Sequence, residues 1–197
     1  MKVWMGIAMI AVTALSVGAG DPKAPKAKPQ TKSPRQDVIW DSAHNRFVTQ
    51  LDYWFDDGDF PRCIQLLKVM SDLDPDDYET ATDLGWMLEN VEQYDAALAV
   101  YVKYKKDNPR EADAPFPEAN FYYKQKLFAK VPSLLEPSLL LKPHPNSWRL
   151  LAHSYEKLGM LADSKRVWNS YLRLFPTDEA GKGNLRRVEG KIGRPSR

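Results

Sequence analysis

Residues 78–109 read YETATDLGWMLENVEQYDAALAVYVKYKKDNP, and this stretch decides the fold. Two helical patterns sit back to back in it, followed by a charged turn and a proline. Gly85 in the first pattern and Ala97 in the second are small enough to let helix backbones approach, with large side chains filling the space between. Lys105, near the end of the second pattern, is expected to point to water. A pair of helices this short cannot bury its apolar faces alone, so similar pairs are expected to stack on it.

The prolines supply the stacking period. Pro75, Pro109, Pro143 and Pro176 lie 34, 34 and 33 residues apart, and columns counted back from each hold the same kind of residue. Twelve positions back are Cys63, Ala97, Val131 and Ser164, all small; eight back are Leu67, Tyr101, Leu135 and Trp168, all large. Phe60, Tyr94, Phe128 and Leu161 share a column, as do Trp54, Leu88, Tyr122 and Tyr155. A further column holds Leu51, Gly85, Ala119 and Ala152, where Leu51 breaks the small-residue rule and should hold the helices of its unit further apart.

Departures cluster in the third unit. Pro115 and Pro117 stand where its first helix should start, and Pro132 and Pro137 lie within its second. An interior proline removes a hydrogen bond and clashes with the preceding turn, at about 3 kcal/mol. A first helix over residues 117–129 and a short or kinked second over 133–141 are therefore expected. The fourth unit is regular, with Gly159 turning between helices over 148–158 and 161–175. Beyond Pro176, Thr177 and Asp178 offer an N-cap, and Leu185, Val188 and Ile192 recur on one helix face.

Leu84-Gly85, Leu88, Tyr94, Ala97, Tyr101 and Pro109 together resemble the tetratricopeptide repeat, a helix–turn–helix unit with a period of about 34 residues. The resemblance implies an all-α, right-handed helical-repeat solenoid of about four units, near 44–77, 78–111, 112–144 and 145–178, the third degenerate. A capping helix over 178–192 completes the expected domain of residues 38–192, and a disordered tail over 193–197 is expected after it. In the family the first helix of each unit lines an inner groove where peptides bind. Carried over by spacing, that groove holds Asn45, Val48, Asp52 and Phe55 in the first unit, and Glu79, Thr82, Trp86, Glu89 and Asn90 in the second. Phe116, Asn120, Tyr123 and Lys124 follow in the third, and Asn146, Arg149, His153, Glu156 and Lys157 in the fourth.

Trp86 and Tyr123 are large aromatics on that face, suited either to anchoring a ligand or to touching neighbouring repeats. The carboxylate clamp of chaperone-binding members needs lysine and asparagine in the first unit. Here those columns hold Val48 and Asp52, which argues against that mode. The expected groove is acidic over its first half, through Asp52, Glu79 and Glu89, and basic over its second, through Lys124, Arg149 and Lys157. An extended ligand would then lay a basic part over the first half and a carboxylate near Asn120 and Arg149.

Outside the repeats, residues 1–20 carry Lys2, an apolar run and small residues Gly18 to Gly20, the layout of a secretory signal peptide. The run is short against the roughly 20 residues a membrane span needs, so an uncleaved anchor or a hydrophobic first helix are the other readings. No cysteine follows it to take a lipid, and export is the expected outcome. Residues 21–37 alternate proline with lysine and read as a disordered tether, a solvated spacer or a weak contact for an anionic surface.

The net charge of +2 hides an asymmetry: from His44 to Asp95 thirteen acidic residues stand against three basic ones, which disfavours a nucleic-acid footprint. Chemistry is equally hard to find. His44, His144 and His153 lie in no metal-ligand spacing, the single Cys63 falls in the small column as a core thiol, and no phosphate-binding glycine loop or nucleophile motif occurs. No catalytic residue, metal or cofactor is therefore assigned. The expected function is a non-enzymatic scaffold that binds a protein or peptide segment in its groove. The alternative is an assembly component of an envelope complex that uses its edges, and the oligomeric state is left open.

Overall fold

The computed structural model describes residues 34–193; the proposed signal segment, nearly all of the proline/lysine stretch and residues 194–197 lie outside them. Nine α-helices and no strand occur among the described residues: α1 (Pro34–Asp56), α2 (Phe60–Leu73), α3 (Tyr78–Asn90), α4 (Tyr94–Asp107), α5 (Phe116–Lys124), α6 (Val131–Ser138), α7 (Pro145–Lys157), α8 (Leu161–Leu174) and α9 (Glu179–Ile192). None is long and apolar enough to cross a membrane. Helix α1 begins at Pro34, inside the stretch that composition assigns to the tether. Proline is well suited there, since a first-turn residue needs no amide donor.

Leu51 and Trp54 of α1 pack against Cys63, Ile64 and Leu67 of α2. Helices α3–α4, α5–α6 and α7–α8 pair likewise, α2 packs on α3, α4 on α5 and α6 on α7, and α9 closes the series against α8. The columns are the core. Cys63, Ala97, Val131 and Ser164 have no exposed surface at all, and Leu67, Tyr101, Leu135 and Trp168 are buried beside them. Gly85 works differently from the sequence expectation. A Cβ there would collide with the Tyr101 ring, so the missing side chain admits an aromatic ring rather than a backbone. Leu51, the outlier of its column, is half-buried and forms part of a cleft wall.

One turn is repeated four times. Seventeen residues before each proline stand Gly58, Glu92, Lys126 and Gly159, with φ of 75°, 61°, 60° and 74°. The next amide reaches back five residues in every unit: Asp59 to the Trp54 carbonyl, Gln93 to Leu88, Leu127 to Tyr122 and Met160 to Tyr155, at 2.8–2.9 Å. This is the left-handed helix stop that satisfies orphaned carbonyls. It also corrects the third unit, where α5 ends at Lys124 rather than near residue 129, because the stop column falls at Lys126 whatever residue fills it. A 3₁₀ turn over Phe128–Lys130 follows, then the eight-residue α6 with Pro137 inside it and a second 3₁₀ turn over Leu139–Leu141.

Lys105 is the other correction. Its ammonium is not in open water but pairs with Glu118, a carboxylate buried on α5.

Candidate binding groove

The first helices α1, α3, α5 and α7 carry the expected groove residues in register, and two columns do most of the work. Twenty-three residues before each proline stand Asp52, Trp86, Asn120 and His153; twenty before stand Phe55, Glu89, Tyr123 and Glu156. Helix α9 extends the same register, because Arg187 and Lys191 lie 34 residues beyond His153 and Lys157. A continuation of the period past Pro176 identifies both residues as part of this face.

Between the first and second units the contact is aromatic. Phe55 and Trp86 meet with ring centroids 6.0 Å apart, yet remain 43% and 46% exposed. They border a cleft of about 330 Å³ whose other walls include Val48 and Leu51 from α1 and Met87 from α3, over Cys63, Leu67 and Met70 of α2. His44, Asp52, Asp77, Glu79 and Asp83 line the same cleft. Asp77 is occupied: it caps α3 by accepting from the Glu79 amide at 3.1 Å and from the Thr80 hydroxyl, and His44 Nε2 lies 4.0 Å away. Asp52, Glu79 and Asp83 form no ion pair among the described residues. Lost hydration, together with the charges of Glu79 and Asp77, raises the Asp83 carboxyl above its ordinary value.

Between the second and third units the contact is ionic. Glu89 pairs with Lys124 at 2.5 Å and accepts from the Tyr101 hydroxyl at 2.8 Å. Tyr123 and His153 share a depression of about 400 Å³ with Glu156, Lys157, Arg187 and Lys191. There the capping helix folds its cations back. Arg187 donates to Glu156 through Nε at 3.1 Å and Nη2 at 2.7 Å, and Lys191 donates at 2.7 Å. These bonds, Arg187 foremost, hold the Glu156 carboxyl down at about 2. His153, 3.7 Å from Glu156, is held below its ordinary value by burial and by the charge of Arg187.

The remaining groove residues are placed as follows. Arg149 is turned toward α9: its Nη2 donates to Asp178 at 2.8 Å, Nε to the Tyr171 hydroxyl at 3.1 Å and Nη1 to Asn146 at 3.4 Å. Asp178 in turn caps α9 through the Gly181 amide. Asn90 donates to the Trp86 carbonyl at 3.0 Å, Phe116 and Asn120 are half-buried, and Lys157 is exposed. The expected charge gradient is therefore altered at its basic end. Lys124 is matched by Glu89 and Arg149 by Asp178, so neither is the free cation that a ligand carboxylate would need. The acidic end keeps its unmatched carboxylates.

No protein-family model matches the chain, and no curated protein matches it. Solved structures do. MamA from Desulfovibrio magneticus RS-1, residues 41 to the end, is similar at 18% identity and a TM-score of 0.59, over 75% of this chain and 84% of that one. The first tetratricopeptide repeat domain of Spaghetti (RPAP3), bound to an HSP90 peptide, is similar at 20% identity and 0.52, over 58% of this chain and 91% of that one. YrrB, described as having an unusual peptide-binding site, is similar at 16% identity and 0.54, over 64% and 66%. At these identities the likeness is one of fold. The chain has the fold of tetratricopeptide-repeat solenoids, the all-α helical-repeat architecture that the proline columns imply.

Proposed function

We propose that this tetratricopeptide-repeat solenoid is a non-enzymatic scaffold that binds a protein or peptide segment along its groove. The observation that carries the reading is the Phe55–Trp86 pair, two aromatics in mutual contact that stay nearly half exposed beside an open cleft. Rigid aromatics bordering a concavity are the usual anchors of an interface. The peptide-bound RPAP3 domain and YrrB support the same use of the fold. Export through residues 1–20 belongs to this proposal, as does a protein rather than a nucleic-acid partner, which the acidic segment from His44 to Asp95 disfavours.

A second reading, assembly through the edges, is favoured by one feature. The turn over Leu139–Leu141 leaves Leu140 88% and Leu141 51% exposed, away from the groove columns. Affinity capture with the full chain separates the two. Trp86→Ala should lose the captured partner while Leu140→Ser keeps it; the reverse pattern would establish the edge as the working surface. Cell fractionation tests export.

A further inference from the structure

We propose that the cleft between α1 and α3 is a seat for an arginine side chain presented by an extended peptide segment, a reading that rests on the groove function above. Other junctions of the chain carry their own internal cations. At the far end of the groove Arg187 occupies the column of Trp86 and pairs with Glu156, which occupies the column of Phe55. At the second junction Lys124 plays the matching part for Glu89. At the first junction the equivalent of Lys124 and Lys191 is Asn90, a neutral residue whose amide is spent on the Trp86 carbonyl. Neither member of that internal pair is present there, since Phe55 stands in the carboxylate column; Asp52, Glu79 and Asp83, from other columns, line the cleft without an ionic partner among the described residues.

The shape of the cleft selects the kind of cation. Among the described residues no three acidic, histidine or cysteine side chains converge closely enough to hold a metal ion. The carboxylates are spread around a space of about 330 Å³ with apolar walls, which fits a long side chain with several donors rather than a point charge. A guanidinium is planar, weakly hydrated and stacks on aromatic faces, so it exploits Trp86 and Phe55 where an ammonium does not. Arginine already sits this way elsewhere in the molecule: Arg149 lies 5.4 Å from the Tyr171 ring centre and Arg166 lies 5.9 Å from that of Tyr155, each paired with a carboxylate. The raised Asp83 carboxyl is consistent with a group waiting for a counter-charge.

The test is a library of random dodecapeptides panned against the immobilised full chain. Recovered peptides should be enriched in arginine, and a synthetic copy of the best one should bind the Asp52→Asn/Asp83→Asn chain about tenfold more weakly, the order expected for lost hydrogen bonds to charged groups. Replacing its arginine by lysine should weaken binding, and Lys106→Ala should not. Should the double variant unfold, Glu79→Gln repeats the measurement one helical turn before Asp83 on α3. Peptides without basic residues, or undiminished binding to the acidic-rim variants, overturn the arginine seat. If such peptides still need Trp86, the groove reading survives alone. If binding is indifferent to Trp86→Ala, or no peptide is recovered, both readings fall.

Discussion

Arg187 and Glu156 are joined by two parallel bonds, Nε to Oε1 at 3.1 Å and Nη2 to Oε2 at 2.7 Å, which tie the capping helix to the last groove helix. A bidentate pair of this kind is geometrically specific, and Glu156 is only 8% exposed, so salt screens it poorly. The carboxyl is lowered from an ordinary 4.5 to about 2 in the folded chain. A lowered carboxyl stabilises the fold fully above its unfolded value and loses that contribution as pH falls through its folded value. Glu156→Gln should therefore be less stable than the parent at pH 7, and the gap should close between pH 4.5 and 2. Chemical denaturation across that range measures it; a gap that ignores pH would mean the loss comes from packing.

The repeated turn makes a second prediction. Glu92 and Lys126 hold φ of 61° and 60°, where a side chain costs about 1–2 kcal/mol, against roughly 0.5–1 kcal/mol of extra chain entropy that glycine loses. Glu92→Gly and Lys126→Gly should each stabilise by about 0.5–1 kcal/mol. Gly58→Ala and Gly159→Ala should destabilise by a similar amount although nothing lies within 4 Å of either added Cβ. Thermal melts of the four variants decide the matter, and equal signs at all four positions would show that the turn is not shared.

Core size is tested at Trp168, which has no exposed surface and fills the space between α7, α8 and α9. Trp168→Ala should cost about 3–5 kcal/mol, and the exposed Lys106→Ala less than about 0.5 kcal/mol. Lys105→Ala should fall between them, at about 1–3 kcal/mol, because it strands the buried Glu118 carboxylate. Denaturant titrations that fail to separate Lys105 from Lys106 would contradict the ion pair.

Those two adjacent lysines mark the limit of what sequence can show. The columns were legible because close packing imposes side-chain size at fixed intervals, so Cys63, Ala97, Val131 and Ser164 had to be small wherever the chain came from. Partner choice obeys no such rule. Lys105 found Glu118 because α5 lies at an irregular junction, and Arg149 turned to Asp178 because that residue caps α9. The first groove cleft was half legible: Val48, Asp52, Phe55, Glu79 and Trp86 follow from register, whereas His44, Asp77 and Asp83 come from turns of α1 and α3 beside it. Arg187 and Lys191 were legible in principle, through the same 34-residue step carried one unit further.

Amide exchange should distinguish the third unit. Helix α6 is eight residues long with Pro137 inside it, whereas α4 has fourteen residues and no proline. Segments with fewer intact backbone bonds open below the global unfolding free energy. Exchange over residues 131–141 should be faster than over 95–105, and uniform protection would show that packing around Val131 and Leu135 outweighs the broken hydrogen bonds.

The shortness of α6 also has a mechanical meaning. Among the described residues the main contacts of α3 to α9 run between successive pairs, so a pulling force on the two ends passes through the junctions in series, as through links of a chain. Tension then finds the shortest link first. Held between handles at Trp40 and Ile192, the chain should lengthen in steps, with the third pair yielding before the α3–α4 and α7–α8 pairs on either side. A single abrupt extension in a force spectroscopy trace would rule this out. A partner lying along the groove would bridge the yielding link, so the same trace taken with ligand should show the first step move to higher force.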